Sequence, residues 1–161
     1  MNERFNQHSP GVTLEQVAIH DPDETEYRYV LGQNIYRKGR HSLKLKLEMF
    51  KDTFWMFVGI LKENVVAQPD SMSHGWPGSY GWGLGKGGAK WENGVSTDEN
   101  GLHDVLQGDV VKLVLDCDAA NLSLLHLRTN QQFHIEIPKS QTWRLHVNLF
   151  NKDDKICLVN E

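Results

Sequence analysis

The segment Ser79–Gly94, which reads SYGWGLGKGGAKWENG, decides the fold class of this chain. Glycine loses the most backbone entropy when it becomes ordered, and five glycines stand in the first ten residues, so the segment disfavours a helix. Asn93-Gly94 is the strongest short-range hairpin signal, because both residues accept the positive φ angles of a type I′ turn. The segment therefore predicts a strand, an irregular glycine turn and a hairpin. Its tryptophans, Trp82 and Trp91, are large enough to anchor a core or to bind a ligand.

Period-two alternation of apolar and polar residues dominates the rest of the chain. In His41–Phe50, leucines and a methionine alternate with lysines and a glutamate, which predicts a strand with one buried and one solvated face. The more continuously apolar runs Trp55–Leu61 and Val110–Leu115 are typical of central strands in a packed sandwich. The remaining strand candidates are Val12–Ile19, Leu122–Leu127, Phe133–Ile137, Trp143–Leu149 and Ile156–Val159.

Turn residues separate these runs at short intervals, and no stretch has the pattern of a helix longer than two turns. The candidates for short helices are Glu15–His20 and Asp98–Leu106. No linker or internal repeat divides the 161 residues, so we expect one domain over residues 1–161 with its core at about 12–159. Many short strands joined by tight turns predict an all-β, antiparallel sandwich or barrel.

Composition and charge argue against several classes of function. The net charge is −4 and the basic residues are scattered, whereas a nucleic-acid interface needs a clustered basic face. No apolar run approaches the ~20 residues that cross a bilayer, and the first residues lack an apolar signal core. We therefore expect no nucleic-acid or membrane partner and a cytoplasmic location. Cys117 and Cys157 are expected to be free thiols, which is consistent with a reducing compartment.

The motifs that would support catalysis or nucleotide binding are incomplete. A literal match to G-x-G-x-x-G begins at Gly83, but the residues after it predict another turn instead of the helix that holds phosphates. No nucleophile elbow surrounds Ser79. Glu48 and Glu136 each stand alone on a predicted strand, where a glycosidase needs two close carboxylates. We expect no cofactor and no enzymatic activity.

Metal binding is not expected either. The chain has eight histidines, but none of them forms a tightly spaced ligand pair and the cysteines are isolated from them. The histidines on strands, His126, His134 and His146, are expected on solvated faces. Asp116 and Asp118 are expected to shape the turn into the next strand, because Asp side chains bond to nearby backbone amides.

One long loop, Gln68–Ser79, interrupts the alternation and contains two prolines, two glycines and an isolated Trp76. A long loop in a compact β domain often carries function. Two interpretations of Trp76 stay open at this point: it folds back over the sandwich as a lid on the core, or it lines a partner-binding surface. The tryptophans on predicted strands, Trp55, Trp82 and Trp143, are expected in the core.

Several motifs follow one another in a specific order and spacing. They are GRH at Gly39–His41, WMFVGIL at Trp55–Leu61, SYGWGL at Ser79–Leu84, QGDVVKLVLD at Gln107–Asp116 and NLSLLHL at Asn121–Leu127. This order resembles that of the SPRY domain family, and the similarity extends from about Val12 to Val159. The chain departs from the family pattern at Leu43, where a tryptophan is usual, and at Asn121, where the turn usually has glycine.

The resemblance implies a bent antiparallel β-sandwich of two sheets, a concanavalin-like jelly roll, whose loops at one rim bind a protein or short peptide. Domains of this family often select what a ubiquitin ligase or adaptor protein captures. We accordingly expect a monomeric recognition module for a protein or peptide. Three alternatives are a lectin-like carbohydrate-binding sandwich, a glycoside-processing enzyme on the same architecture and a structural oligomerisation domain.

The expected partner-binding residues are aromatic and basic, because recognition sites favour Trp, Tyr and Arg. Trp76 and Tyr80 lie on or next to the long loop. The resemblance implies that the site also borders Phe150, at a strand end, and the loop before His41. The expected set is Trp76, Tyr80, Phe150, Tyr36, Arg37 and Arg40.

Overall fold

The computed structural model describes residues 3–8, 12–14, 17–20, 27–49, 55–66, 72–85, 88–97, 102–151 and 154–159. Within these ranges, fourteen strands form two seven-stranded sheets. Neighbouring strands in each sheet pair antiparallel, whether or not they are consecutive in the chain. The helical content of the described residues is one 3₁₀ turn, Ser73–Gly75. The all-β antiparallel sandwich predicted from the alternation is therefore confirmed.

The first sheet carries most of the glycine-rich segment. Its strands are β1 (Phe5–His8), β4 (Arg28–Gly32), β6 (Trp55–Lys62), β7 (Ser79–Gly85), β8 (Lys90–Glu92), β9 (Val95–Thr97) and β13 (Trp143–Leu149). Their order across the sheet is β1-β4-β13-β6-β7-β8-β9. The central strands β6 and β7 are the continuously apolar and the glycine-rich one, as expected for strands covered on both faces, whereas β13 keeps the alternation of apolar and polar residues.

The second sheet contains the most regular alternation. Its strands are β2 (Val12–Leu14), β3 (Val17–His20), β5 (Arg40–Met49), β10 (Val110–Asp116), β11 (Asn121–His126), β12 (Gln132–Glu136) and β14 (Lys155–Val159). Their order is β12-β11-β10-β5-β14-β3-β2. Side chains of β10 and β11 alternate between buried and half-buried positions, which matches the predicted period of two.

The two predicted short helices need correction. Val17–His20 is strand β3, paired with β14 through Ala18 and Ile156, both fully buried. Residues 102–106 contain no helix, and Leu102 instead forms a bridge to Leu84 of β7. In both places cross-strand pairing and core burial override a weak local preference. The rest of the two segments, residues 15–16 and 98–101, lies outside the described ranges.

The core lies between the inner faces of the two sheets. Two tryptophans, Trp82 and Trp143, are its largest fully buried side chains. The first sheet adds Val30, Met56, Val58, Ile60, Leu84, Leu145, Val147 and Leu149, and the second adds Leu45, Leu47, Val111, Leu113, Leu115, Leu122, Leu124, Ile135 and Ile156. These are the apolar positions of the alternating runs, so the pattern placed the core correctly.

The hairpin predicted at Asn93-Gly94 joins β8 to β9. Both residues have positive φ angles, 53° and 80°, as a type I′ turn requires. The turn also touches the long loop, because the Gly78 N–H donates to Asn93 Oδ1 at 2.7 Å. A side chain at Gly94 would lie 2.6 Å from the carbonyl oxygens of Gly75 and Trp76. The hairpin thus holds the loop against the outer face of the first sheet.

Candidate functional site

The outer face of the first sheet, which points away from the core, has glycines at its centre. Gly59 and Gly81 oppose each other across β6 and β7. A Cβ atom on Gly81 would lie 2.8 Å from the ring of Phe57, and one on Gly83 would lie 2.4 Å from the indole nitrogen of Trp55. Glycine is required here for close approach, since any side chain would collide with these rings. The aromatic rings of β6 therefore lie directly against the backbone of β7.

Four buried polar side chains connect the long loop to this face. Ser73 Oγ lies 2.6 Å from Nε2 of His146 and accepts a hydrogen bond from Nδ2 of Asn148 at 2.5 Å. The other ring nitrogen of His146 lies 3.3 Å from the hydroxyl of Ser79. All four side chains are fully buried. Burial lowers the pKa of His146 to about 3, with a smaller contribution from nearby His74, so its imidazole is neutral.

His74, the next residue of the loop, is enclosed by aromatic rings. Its ring centroid lies 4.4 Å from that of Trp55, 4.5 Å from Trp91, 5.0 Å from Tyr27 and 5.9 Å from Phe57. Only 1% of His74 is exposed, and burial lowers its pKa to about 4. The imidazole is therefore uncharged at neutral pH.

The rings around His74 form a patch that is open to solvent on one side. Phe150 extends it, because its ring lies 4.6 Å from that of Tyr27. Trp76 borders it, packing 5.7 Å from Tyr29 and lying parallel to His146 at 6.2 Å. We call this patch the aromatic face; its members are Tyr27, Trp55, Phe57, His74, Trp76, Trp91 and Phe150. Five of the seven are half-buried, so the rings are held in place and still accessible.

Polar atoms without partners accompany these rings. Within the described residues, His74 Nδ1, Trp91 Nε1 and Asn148 Oδ1 are buried and form no hydrogen bond. An unsatisfied buried polar group costs about 1–3 kcal/mol, so such groups are rare in folded proteins. Trp82 Nε1 in the core is another such atom, so they occur on both faces of the first sheet.

Two of the predicted partner-binding residues, Trp76 and Phe150, lie on the aromatic face. Trp76 is half-exposed and covers a small cluster on the outer face, Tyr29, Leu31 and Leu61, and not the core between the sheets. Its contact with a partner stays a prediction. Tyr80 needs correction. It alternates with Gly81 on β7 and so points inward, where it is 6% exposed and packs edge-on against Trp143.

The other three predicted residues lie at the opposite end of β13. Tyr36 pairs with Trp143, the first residue of that strand, whereas Phe150 follows its last residue. Seven residues at strand spacing separate the two ends by about 20 Å. Arg37 and Arg40 are exposed at the far end. Thus the six residues do not form one surface.

Tyr36 belongs to a buried cluster, so the prediction that it lies on the surface is wrong. Its side chain is 7% exposed, and its hydroxyl donates to a carboxylate oxygen of Glu3. The Gln33 and Asn34 backbone N–H groups donate to the other oxygen at 2.9 and 3.1 Å. Burial and the neighbouring Glu3 raise the pKa of Tyr36 well above its ordinary range. The cluster fastens the N-terminal segment to the loop after β4.

His126 and His146 are fully buried, so the prediction that they lie on solvated faces is wrong. His134 is exposed, as expected. His126 follows the inward positions of β11 and bonds to Asp109, at 2.7 Å, and Thr129, at 2.6 Å. His146 does point outward, but the long loop covers it. Trp55 is also corrected, because it lies on the outer face instead of in the core.

The aromatic face includes residues that the sequence analysis did not assign to a site, above all Tyr27, His74 and Trp91. Their types alone gave no signal. The available signal was the alternation of Gly81, Gly83 and Gly85 in β7, because glycine at every second position leaves one face of a strand open to rings from neighbouring strands.

The structure describes the surroundings of the two aspartates, of possible metal ligands and of both cysteines. Asp116 Oδ1 accepts the Ala119 N–H at 2.9 Å, which confirms that it shapes the turn into β11. Asp118 Oδ1 instead accepts the Gly39 N–H at 3.2 Å, so it links this turn to the loop before β5. In the described ranges no group of three or more His, Cys, Asp or Glu side chains could hold a metal ion. No helix there is long and apolar enough to cross a bilayer. Cys117 and Cys157 are free thiols.

Comparison with known proteins identifies the fold. No protein family model matches the sequence, and no curated protein is significantly similar to it. The structure is similar to the SPRY domain of human HERC1, with a TM-score of 0.73 and 16% identity over 97% of each chain. It is similar to the TRIM65 PSpry domain, with a TM-score of 0.73 and 14% identity over 100% of this chain and 90% of that one. The chain therefore has the fold of SPRY domains, as its motif order indicated.

Proposed function

We propose that this chain is a recognition module that binds a protein or short peptide through the aromatic face, without catalysis. The observation that supports it best is that half-buried rings from separate segments meet there. Tyr27 precedes β4, Trp55 begins β6, Trp91 lies in β8 and Phe150 follows β13. Large aromatic anchors in partly desolvated settings dominate the energetics of known interfaces.

The rigidity of the site favours this role. The glycine-lined face and the Ser73 hydrogen bonds hold the rings and the loop in place before a partner arrives. Less side-chain entropy is then lost on binding, so more of the contact energy appears as affinity. The shared fold of SPRY domains agrees with such a role.

A carbohydrate-binding role is less well supported. A histidine does lie beside Trp76, since the His146 ring is parallel to it at 6.2 Å. However, His146 and its strand neighbour Asn148 are fully buried, and Nε2 of His146 and Nδ2 of Asn148 are occupied by Ser73, so they present no polar edge to a sugar. A glycan array should therefore give no hits, and a saturable glycan ligand displaced by peptide would favour this alternative.

The test is affinity selection from a random peptide library, followed by measured affinities for variants. The double substitution Trp76→Ala and Phe150→Ala should weaken the selected peptides by about 100-fold, as expected for two anchor residues. The matched control is Arg37→Ala with Arg40→Ala at the far end of β13, which should bind normally. Equal affinity of the aromatic variant and the wild type would refute the proposed surface.

A finer proposal concerns the biological setting. The domain would select proteins for capture by a ubiquitin ligase or adaptor, acting as a monomer in the cytoplasm. Fusing the chain to a ligase catalytic domain should deplete a reporter protein that carries a selected peptide. Depletion should disappear with Trp76→Ala and Phe150→Ala, and a reporter that persists with the intact domain would contradict this use.

A further inference from the structure

We propose that the edge of β9 binds an extended segment of the partner as an additional strand of the first sheet, through the backbone N–H and carbonyl of Ser96. β9 (Val95–Thr97) is the last strand of this sheet and lies next to β8 (Lys90–Glu92). The inference rests on the proposed function, because β9 borders the aromatic face. It names the conformation and the side chains of the segment that docks there.

The register of the β8–β9 hairpin determines which backbone groups of β9 point away from the sheet. The two-residue turn is closed by a hydrogen-bonded pair, Glu92 and Val95, and such pairs alternate with non-hydrogen-bonded pairs along antiparallel strands. Ser96, opposite Trp91, therefore forms a non-hydrogen-bonded pair, so its N–H and carbonyl point away from β8. In the part of the chain that the structure describes, no backbone hydrogen bond reaches either group.

β9 lacks the charges, prolines and bulges that protect other sheet edges from pairing with another chain. At the other edge of the first sheet, the register of β1 shifts between Phe5 and Gln7, and the edge strand β12 exposes His134 and Glu136. The residues of β9 are all exposed, and none of them is charged or a proline. An edge of this kind is suited to the addition of a peptide strand.

The length of β9 limits how much the backbone contributes. With three residues, the strand presents one residue, Ser96, whose backbone groups point outward. An added strand would therefore form two backbone hydrogen bonds with it. Side-chain contacts have to supply the rest of the affinity and the specificity.

On the outer face, the neighbour of the added strand would be Trp91. Trp91 and Ser96 share this face, because directly paired residues of neighbouring strands point to the same side. Trp91 is half-exposed and contacts His74, so it belongs to the aromatic face. Two strand spacings, about 10 Å, separate an added strand from β8. A large apolar side chain opposite the small Ser96 can reach over it and contact the Trp91 ring.

The residues on either side of Ser96 point to the opposite face. Val95, which is 67% exposed, pairs with Glu92, and Thr97 pairs with Lys90. Lys90 Nζ and Glu92 Oε2 lie 3.8 Å apart, so their charges offset each other. β-branched apolar side chains of the partner would pack against Val95 and Thr97, since such cross-strand pairs stabilise sheets. The predicted segment is thus extended and apolar.

The direct test removes one backbone donor and keeps the rest of the hairpin. Ser96→Pro deletes the outward N–H and leaves the hydrogen bonds that Val95 and Thr97 form with β8. A peptide selected on the wild-type chain should bind this variant about tenfold more weakly. The matched control, Ser96→Ala, keeps the N–H and should bind as the wild type does. Equal affinity of the wild type and a Ser96→Pro variant that urea unfolding shows to be folded would overturn the inference.

A second arm uses the wild-type chain, so it does not depend on the folding of Ser96→Pro. The amide hydrogen of Ser96 should exchange with solvent about tenfold more slowly in the complex, because it becomes hydrogen-bonded. N-methylation of the peptide should weaken binding about tenfold at the residue that pairs with Ser96 and not at the residues beside it, since alternate N–H groups of a strand point to opposite sides. Unchanged exchange at Ser96 would contradict strand addition.

The outcomes distinguish this inference from the proposed function. If Trp76→Ala with Phe150→Ala removes binding while Ser96→Pro and N-methylation do not weaken it, strand addition is refuted and the recognition surface stands. If Ser96→Pro weakens binding and the aromatic double variant does not, the β9 edge stands and the aromatic face is refuted as the partner's surface. If no peptide binds the wild-type chain, both proposals fail.

Discussion

The two faces of the first sheet are built from alternate residues of the same strands, yet they hold aromatic side chains in different ways. On the inner face, Trp82 and Trp143 are enclosed by the second sheet and fully buried. On the outer face, Trp55 lies over Gly83 and Trp91 pairs across strands with Gly81, and both stay half-exposed. The inner face therefore packs the core that stabilises the fold, whereas the outer face keeps aromatic rings accessible to the partner that we propose.

The two faces should differ most in how much their tryptophans contribute to the free energy of unfolding. Trp82→Ala should lower the free energy of unfolding by about 3–5 kcal/mol, because it opens a cavity in the core. Trp55→Ala should cost about 1 kcal/mol, since its ring is already half-exposed, and should instead weaken partner binding. Urea unfolding of both variants measures this. Similar losses for the two would mean that the faces do not differ in this way.

A smaller effect tests the glycine-lined outer face. Gly83→Ala places a methyl group against the Trp55 indole and should cost roughly 1–3 kcal/mol while shifting the fluorescence of the protein. The matched control is Gly75→Ala, whose added methyl group would have its nearest neighbour 4.0 Å away. If Gly83→Ala is as harmless as the control, the rings do not depend on the glycines.

The buried histidines of the outer face predict a pH dependence. Burial lowers the pKa of His74 to about 4 and that of His146 to about 3, both below the ordinary 6.5. Between pH 6.5 and about 4 the unfolded chain therefore binds protons that the folded chain does not, and stability falls as the pH falls. His74→Phe should reduce this slope by about 1.4 kcal/mol per pH unit.

Urea unfolding of wild type and His74→Phe at several pH values between 4.5 and 7 provides the measurement. Four aromatic rings surround His74, and the titratable group coupled to it is His146. Because the pKa of His146 is about 3, His146 stays neutral in the folded protein throughout this pH range. Asp109 has a lowered pKa too: burial opposes the shift, but hydrogen bonds from Arg128, Leu106 and His126 outweigh it. The stability that Asp109 contributes is lost below its ordinary pKa of 3.8, which lies outside the pH range of this experiment. If the free energy of unfolding of the two proteins depended on pH in the same way, the lowered pKa of His74 would be contradicted.

The smallest effect concerns the far end of β13. Tyr36→Phe removes a donor to the Glu3 carboxylate and should lower stability by about 1 kcal/mol. Peptide affinity should not change, because this cluster lies at the other end of the strand. A loss of peptide binding with unchanged stability would mean that the partner contacts the Tyr36 end of β13, and it would contradict a binding site on the aromatic face alone.

The sequence was sufficient for the inner face and insufficient for the outer one. Alternation in β5, β10 and β11 predicted which side chains pack between the sheets, because a period of two has one physical meaning. The sequence also predicted the Asn93-Gly94 turn, because few pairs of residues accept positive φ angles at both positions. Tyr80 was misplaced although the period of two puts it on the same face as Trp82, which was expected in the core; its position next to the long loop was given more weight than the alternation.

The aromatic face depends on contacts that no local pattern encodes. His146 alternates like a solvated residue, and its burial follows from a loop more than sixty positions away in the chain. Tyr27, Trp55 and Trp91 meet only because β4, β6 and β8 share a sheet whose strand order does not follow the sequence. Trp76 and Phe150 could be identified as candidates; their neighbours required the fold.

The most direct test of the account follows the indole N–H signals of the five tryptophans by NMR while a selected peptide is added. We expect the signals of Trp55, Trp76 and Trp91 to shift and those of Trp82 and Trp143 to stay in place. Shifts confined to Trp143 and to the backbone amides of Arg37 and Arg40 would place the partner at the opposite end of the sheet and contradict the aromatic face as the binding site.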